Sequence, residues 1–230
     1  VDRFLTADDL AKSLRRDVRD GLTATPKTLP PKWFYDERGS ALFEEITRRD
    51  EYYPTRRERE ILAARASDIA AATGAETLLE LGAGSGEKTR LLLGALNGTL
   101  RSYVPVDVSG DFLAEAAAQI AADHPGLAVR AVVADYEQHL HLLPGGRRRL
   151  IAFLGGTIGN MASAARVGFL GRLRAGMGDG DALLLGADLV KDPARLLRAY
   201  DDAAGVTAEF NRNVLRVINR ELDADFDPDA

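Results

Sequence analysis

The hydrophobic positions between Thr77 and Ala203 form short continuous runs that alternate with segments of helical periodicity. Continuous apolar runs are typical of parallel strands with both faces covered, and the segments between them are typical of crossover helices. The predicted strands are Thr77–Leu81, Ser102–Asp107, Leu127–Val133, Leu150–Leu154 and Ala182–Ala187. The predicted helices are Glu87–Leu96, Phe112–Ala122, Ser163–Gly176 and Pro193–Ala203. This alternation predicts an α/β fold with a doubly wound parallel sheet.

Helices are also predicted outside the alternating region, and several have recognisable start signals. Thr6 is followed by Asp9, a pairing that favours a helix start. Thr55 and Glu58 form a capping-box pattern, which predicts that a helix begins at Thr55 and runs to about residue 72. Two further helices are predicted over Ser40–Thr47 and from residue 207 to about residue 222.

Composition narrows the possible functions. The chain of 230 residues is 46% hydrophobic with a formal net charge of −5, a balance typical of globular proteins. Nothing in it predicts a nucleic-acid partner, which usually requires a basic face. The sequence has no cysteine, which excludes thiolate metal sites and fits a cytoplasmic location. No apolar run has the length of a signal-peptide core or a membrane helix, and no metal-ligand cluster is found, so we predict neither a membrane partner nor a metal.

The strongest chemical signal follows the first predicted strand, where the sequence reads ELGAGSG. Gly82, Gly84 and Gly86 allow the backbone to turn tightly and to approach a ligand closely. Their spacing differs from the G-x-G-x-x-G of dinucleotide-binding folds, and Glu80 stands two positions before the first glycine. This form indicates S-adenosylmethionine, with Glu80 either ordering the loop or holding the ammonium of the cofactor. For the glycines alone, a compact turn without a ligand is the alternative.

Further polar residues follow the same strands. Asp107 ends the second predicted strand, where a carboxylate can accept hydrogen bonds from both ribose hydroxyls. After the third strand, Asp135 can accept from the adenine amino group and Tyr136 can stack on the ring. Lys88, in the first turn of the helix after the glycines, can meet the cofactor carboxylate or remain exposed. Each residue alone also fits a turn or a helix surface, but together they predict an S-adenosylmethionine site at the carboxyl ends of the strands.

The segment after the fourth predicted strand reads FLGGTIGN. Its Asn160 offers both a donor and an acceptor at the same edge, although a helix cap is an equal alternative. Together with LPPKWFYDERGSALFEEIT, EYYPTRRE, ELGAGSGEKTR and DLVKDPARLLRAYDDAAGVTAEFNRNVL, this segment resembles the S-adenosylmethionine-dependent histidine Nα-methyltransferases over nearly the whole chain. The resemblance implies methylation of the α-amine of L-histidine to hercynine, its trimethyl betaine, in ergothioneine biosynthesis.

The resemblance also implies roles for particular residues. The cofactor would be contacted by Gly82, Lys88, Asp107, Asp135 and Tyr136. The amino-acid end of histidine would be held by Tyr52, Asn160 and Tyr200. Without the resemblance, half-buried packing is the stronger interpretation of the two tyrosines, and no residue is assigned as a catalytic base. The family further implies a C-terminal segment that recognises the imidazole and completes the sheet. We expect this chain to lack that segment, which would leave a sheet edge open to association.

These interpretations predict the domain organisation. Residues 1–60 would form a helical arm that contributes to the substrate domain, residues 61–190 a Rossmann-like cofactor-binding domain, and residues 191–230 the start of a mainly helical substrate-binding domain. Two other functions stay open: methylation of another small amine, and cofactor binding without catalysis. A nicotinamide dehydrogenase is opposed by the spacing of the glycines.

Overall fold

The computed structural model describes residues 1–84 and 86–229, and the chain divides into two compact units. Unit 1 comprises Val1–Leu5 and Arg57–Asp188, whereas unit 2 comprises Thr6–Arg56 and the chain from Leu189 onward. Ser85, within the predicted glycine loop, lies outside the described residues. In the described part of the chain, no helix combines the length and the apolar character needed to span a bilayer.

Strands and helices alternate in unit 1, and unit 2 is helical. The strands are β1 (Asp2–Arg3), β2 (Thr77–Leu81), β3 (Ser102–Asp107), β4 (Ala128–Val129), β5 (Val132–Val133), β6 (Arg149–Phe153) and β7 (Ala182–Leu185). The helices are α1 (Ala7–Thr23), α2 (Glu37–Thr47), α3 (Tyr53–Thr73), α4 (Thr89–Leu96), α5 (Gly110–Asp123), α6 (Tyr136–His139), α7 (Ser163–Ala175), α8 (Pro193–Tyr200) and α9 (Val206–Leu222). Single 3-10 turns cover Pro31–Phe34, Leu140–Leu142 and Thr157–Asn160.

The described strands form one parallel sheet in the order β1-β5-β3-β2-β6-β7, with β4 also paired to β3. The predicted α/β fold with a parallel sheet is therefore confirmed. Within the sheet, β3 lies next to β2 on one side and β6 lies next to it on the other, so the strand order reverses direction at β2. Open α/β sheets bind ligands at such a switch point, outside the carboxyl ends of the strands. The segments that follow β2, β3 and β6 are thus the first place to look for a site.

The central strands are buried on both faces, which explains their continuous apolar runs. Leu78 and Tyr103 belong to one hydrophobic cluster, together with α4. Leu79 and Val104, the next residues along the same strands, belong to a second cluster with α7. Adjacent strand residues point to opposite faces of a sheet, so each strand contributes to both clusters. Burial of these side chains supplies most of the driving force for folding of unit 1.

The predicted strand over Leu127–Val133 is wrong in its continuity, because the structure has two short strands there. One pairs with β3 at Ser102 and Tyr103, and the other pairs with it at Val106 and Asp107. The carbonyl groups of Tyr103 and Asp107 accept hydrogen bonds on the edge of β3 that faces β4 and β5. Pro105 lies between them on the same side and has no N–H to donate, so the ladder is interrupted at that position.

The structure confirms two of the predicted helix starts and contradicts a third. The predicted helix start at Thr6 is confirmed, because Thr6 and Asp9 form a capping box, and the predicted start at Pro193 is confirmed by Asp192, which caps α8. The predicted start at Thr55 is wrong, because α3 already begins at Tyr53. Proline fits the first turn of a helix, where its missing N–H costs nothing, and residue 54 is a proline. Thr55 therefore lies inside the first turn.

Unit 2 is held together by an apolar cluster and by the carboxylate of Asp36. Leu14, Trp33, Val214 and Ile218 form the buried cluster. Asp36 caps α2 by accepting the N–H of Gly39 at 2.8 Å, and it receives hydrogen bonds from Asn213 and Arg220 of α9 at 2.7 and 3.0 Å. Burial works against its charge, but these donors outweigh burial and lower the pKa of Asp36. The carboxylate thus joins two helices that are distant in sequence.

Candidate functional site

The glycine loop after β2 is held against the end of β3. The backbone N–H groups of Gly82 and Ala83 donate to the carbonyl of Val106, at 2.8 and 3.2 Å. Gly82, Gly84 and Gly86 have φ values of +73°, +52° and +68°, in the left-handed region. Residues with a Cβ avoid this region, so the loop requires glycine at all three predicted positions. The result is a tight turn with no side chains at these positions.

Asp107 connects this loop to the end of β3. Its Oδ2 accepts the N–H of Gly84 at 3.2 Å, and its Oδ1 accepts the N–H of Ser109 at 3.0 Å. Each carboxylate oxygen can accept two hydrogen bonds, and the contacts among the described residues use one per oxygen. The half-buried carboxylate can therefore accept a pair of hydroxyl groups while it continues to order the loop.

The ring of Tyr136 lies next to the glycine loop. A Cβ added at Gly82 would be 3.7 Å from Cε1 of Tyr136, which is ordinary van der Waals contact. The Tyr136 ring is supported from the core by Phe153 and Phe169, with centroid distances of 5.4 and 6.0 Å. The structure therefore brings Gly82 and Tyr136 together, as an aromatic surface beside the loop.

Asp135 is buried, and its carboxylate is held by its own helix. Its Oδ1 accepts the N–H of Glu137 at 3.0 Å, and its Oδ2 accepts the side-chain amide of Gln138 at 2.9 Å. The side chain caps α6 and is thereby fixed in orientation. Gln138 was not singled out from the sequence, because an amide on a four-residue helix carries no distinctive pattern.

Glu80 points into the core of unit 1. Its carboxylate accepts hydrogen bonds from the hydroxyls of Thr89 and Tyr103, at 2.5 and 2.7 Å, and the residue is only 3% exposed. Burial raises the pKa of Glu80, and it also raises the pKa of Tyr103. Of the two roles predicted for Glu80, these contacts support ordering of the loop, because Glu80 on β2 and Thr89 at the start of α4 flank the loop and their hydrogen bond joins its two ends.

Lys88 forms an ion pair that the sequence did not predict. Its Nζ lies 2.5 Å from Oε2 of Glu58 on α3, and Oε1 of Glu58 accepts the N–H of Gly155 at 2.8 Å. Glu58 had been assigned to a capping box at the start of a helix. Its long-range partners follow β2 and β6, and such contacts leave no local sequence signal.

Asn160 ends the 3-10 turn that follows β6. Gly155 and Gly156 both have left-handed φ values, +77° and +69°, which reverse the chain directly after the strand. The turn is closed by a hydrogen bond of 2.9 Å from the N–H of Gly159 to the carbonyl of Gly156. Asn160 is exposed at the carboxyl edge of the sheet of unit 1.

The two predicted substrate tyrosines meet in unit 2. The rings of Tyr52 and Tyr200 contact each other edge to face, with centroids 5.7 Å apart. Tyr52 is 6% exposed and also contacts Phe43, whereas Tyr200 is 52% exposed. The pair combines a buried, fixed ring with an accessible one.

The described residues of unit 1 offer distinct chemical groups at one edge of the sheet. These groups are a side-chain-free turn, a carboxylate able to take two hydroxyls, an aromatic ring and a partly exposed lysine. Together they match a nucleoside with an amino-acid tail, which is the composition of S-adenosylmethionine. The residues present therefore fit this cofactor.

Comparison with known proteins extends this match. A sequence model of the family described as histidine-specific, S-adenosylmethionine-dependent methyltransferase matches residues 14–230. The histidine N-alpha-methyltransferase of Mycolicibacterium smegmatis is 58% identical over 99% of this chain and 71% of its own length. The protein of the same name from Mycobacterium tuberculosis is 59% identical over 95% of this chain and 68% of its own length.

More distant similarities are consistent with the fold and the family. Ergothioneine biosynthesis protein 1 of Neurospora crassa is 35% identical over 84% of this chain, which corresponds to 23% of that protein. A DUF574 family protein from Streptomyces avermitilis, of known crystal structure, has a TM-score of 0.53 with 16% identity, covering 76% of this chain and 75% of that one. At this identity the structural likeness concerns the fold alone.

Proposed function

The chain belongs to the histidine-specific, S-adenosylmethionine-dependent methyltransferases, and on that premise we propose that it methylates the α-amine of L-histidine. The product would be trimethylhistidine, or hercynine, in ergothioneine biosynthesis. The observation that carries this proposal is the 58% identity to a histidine N-alpha-methyltransferase over 99% of the chain. The groups assembled at the carboxyl edge of the sheet support it.

Each part of the cofactor has a proposed partner in unit 1. Asp107 would accept the ribose hydroxyls, and Tyr136 and Asp135 would bind the adenine through its face and its amino group. The turn at Gly82, Gly84 and Gly86 would allow close approach of the backbone. Lys88 would bind the cofactor carboxylate. Glu80 would act indirectly, by ordering the two ends of the glycine loop. When bound, S-adenosylmethionine supplies the methyl group and a sulfur leaving group.

Asn160, Tyr52 and Tyr200 would hold the amino-acid end of histidine. The neutral α-nitrogen of histidine, held by these residues, would accept the methyl group that the bound cofactor supplies, with sulfur as the leaving group. The nitrogen loses a proton before each further transfer, until it is quaternary. The pKa of a peptide α-amino group is roughly 7.7–8.0, and the neighbouring carboxylate of a free amino acid raises it further, so a minor fraction of the histidine amine is neutral near neutral pH and no residue is assigned as a strong base. Positioning of the amine is then the main contribution of the protein.

The direct test is mass spectrometry of histidine incubated with the protein and S-adenosylmethionine. We expect successive additions of one, two and three methyl groups, which fragmentation should locate on the α-nitrogen. Histamine has the same ring and amine but no carboxylate, and it should react far more slowly. Methylation of histamine at the rate of histidine, or methylation of the imidazole, would contradict the proposal.

Replacement of Asp107 by alanine should weaken S-adenosylmethionine binding by about 1–3 kcal/mol, because the ribose loses a charged acceptor and the loop loses its contact at Gly84. Titration calorimetry measures this change. Asp111→Ala is the matched control, since Asp111 lies on the first turn of α5 with its side chain fully exposed. Unchanged affinity of the Asp107 variant would remove this residue from the proposed site.

Cofactor binding without methyl transfer, or transfer to another small amine, would be revealed by the same mass spectra. A cytoplasmic location fits the absence of cysteine.

Strand β7 is last in the described sheet order, and an open strand edge can pair with another chain. Sedimentation analysis at increasing protein concentration tests that association.

A further inference from the structure

Glu58 reaches the segments that follow three strands of unit 1. Its carboxylate accepts the backbone N–H of Gly155, at 2.8 Å for Oε1 and 3.0 Å for Oε2. Its Oε2 also accepts a hydrogen bond from Lys88 Nζ at 2.5 Å. Gly155 follows β6, Lys88 follows β2, and Gly186, whose Cα lies beside the carboxylate, follows β7. One carboxylate from α3 therefore links three segments at the edge where the cofactor is proposed to bind.

The surroundings of Glu58 leave little freedom to its side chain. The side chain is 15% exposed, and that of its partner Lys88 is 23% exposed. A Cβ at Gly186 would lie 2.1 Å from Oε1 of Glu58, so only glycine leaves room for the carboxylate there. Glu60, on the same helix, instead pairs with Arg57 at a side-chain exposure of 58%, and exposed pairs of this kind contribute little.

We propose that Glu58 is a positioning residue, which fixes the ammonium of Lys88 for the carboxylate of S-adenosylmethionine and fixes the Gly155 amide at the start of the turn to Asn160. This inference rests on the proposed function. A lysine ammonium has three donors on a flexible four-carbon stem. The described contact with Glu58 uses one of the three N–H donors and holds the side chain of Lys88 in place. Two N–H donors on the fixed Nζ are then left for the cofactor carboxylate.

The loss of the Glu58 charge should therefore affect one part of the ligand only. Without its partner, Lys88 keeps its charge but must be ordered when the cofactor binds, which costs affinity. The nucleoside part is held by Asp107 and Tyr136, which do not depend on Glu58. A ligand with an amino-acid tail should respond to the loss, and a ligand without a tail should not.

The experiment compares two ligands by titration calorimetry: S-adenosylhomocysteine, and 5′-methylthioadenosine, which lacks the tail. Glu58→Gln keeps the size of the side chain and an oxygen for the Gly155 amide. We expect S-adenosylhomocysteine to bind this variant about tenfold more weakly, with the affinity for 5′-methylthioadenosine unchanged. Glu60→Gln is the matched control, and it should alter neither affinity.

Two further variants separate positioning from damage to the fold. In a Lys88→Met background, Glu58→Gln should cause no additional loss of S-adenosylhomocysteine affinity, because the group through which it acts is absent. Gly186→Ala should reproduce the selective loss by displacing the Glu58 carboxylate, and it serves in place of Glu58→Gln if that variant does not fold.

The results separate the role of Glu58 from the proposed function of the chain. Unchanged or tighter S-adenosylhomocysteine binding by Glu58→Gln, or equal losses for both ligands, would overturn the role of Glu58 and leave the proposed function intact. Failure of the unsubstituted protein to bind S-adenosylhomocysteine would overturn the proposed function, and the inference with it.

Discussion

Gly39→Ala is expected to lower the free energy of unfolding by about 3 kcal/mol, the upper end of the usual cost of overpacking. The added Cβ would lie 1.7 Å from the carbonyl oxygen of Phe34 and 2.8 Å from its carbon. Both are backbone atoms and cannot rotate away. The same methyl group would press on Asn213, at 3.1 Å, and so disturb the hydrogen bonds that join α2 to α9 through Asp36.

Urea denaturation followed by circular dichroism measures this loss. The matched control is Gly171→Ala on α7, where an added Cβ meets nothing within 4 Å. That variant should be stabilised by about 0.5–1 kcal/mol, because alanine loses less backbone entropy than glycine in a helix. Equal stability of the Gly39 variant and the unsubstituted protein would show that α2 does not approach Phe34 this closely in solution.

Asn160→Ala is expected to reduce kcat/KM for histidine about 100-fold while S-adenosylmethionine affinity changes by less than about threefold. The reason is the placement of Asn160 at the end of the turn after β6, whereas the groups proposed for the ribose and the adenine lie at the end of β3 and after β5. Its amide would hold the histidine carboxylate, and displacement of the amine by even an ångström costs rate.

Steady-state kinetics with varied histidine, together with cofactor titration, separates the two affinities. Asn97→Ala is the control, since Asn97 is an exposed residue at the C-terminal end of α4. Parallel losses of histidine use and cofactor binding would indicate that the cofactor site has collapsed, and Asn160 would then have no specific role in substrate binding.

Much of unit 1 was predictable because its signals are local. Buried strands such as Thr77–Leu81 appear as apolar runs, and the left-handed glycines follow from the need for a tight turn. The break between β4 and β5 was not predicted, because its cause is a missing N–H at Pro105 on the neighbouring strand. The additional strand β1 was missed for a similar reason, since two residues carry no periodicity and acquire their conformation from pairing with β5.

The position of a candidate residue could be predicted where the residue follows a strand, and could not be predicted where its contacts join distant parts of the sequence. Asp107 and Asn160 were proposed from their positions after predicted strands, and the structure places Asp107 at the end of β3 and Asn160 at the end of the turn that follows β6. Glu58 was assigned to a capping box with Thr55, although the structure uses its carboxylate for Gly155 and Lys88, far along the chain. Glu80 was predicted either to order the loop or to hold the cofactor ammonium, but its burial with Tyr103 and Thr89 depends on packing that no single-sequence pattern reveals.

The way the chain divides between its units has a consequence for the order of folding during synthesis. The bond between Asp36 and Asn213 spans 177 residues, and that between Asp36 and Arg220 spans 184. Contacts this distant require closure of a long loop and form slowly. A ribosome releases the described strands β1 to β7 before α9, so these strands can pair before α1 and α2 have the helix that completes their core. The apolar side chains around Trp33 therefore stay exposed in the nascent chain for longer than those of the sheet. We expect chaperones to bind the nascent chain mainly at these side chains.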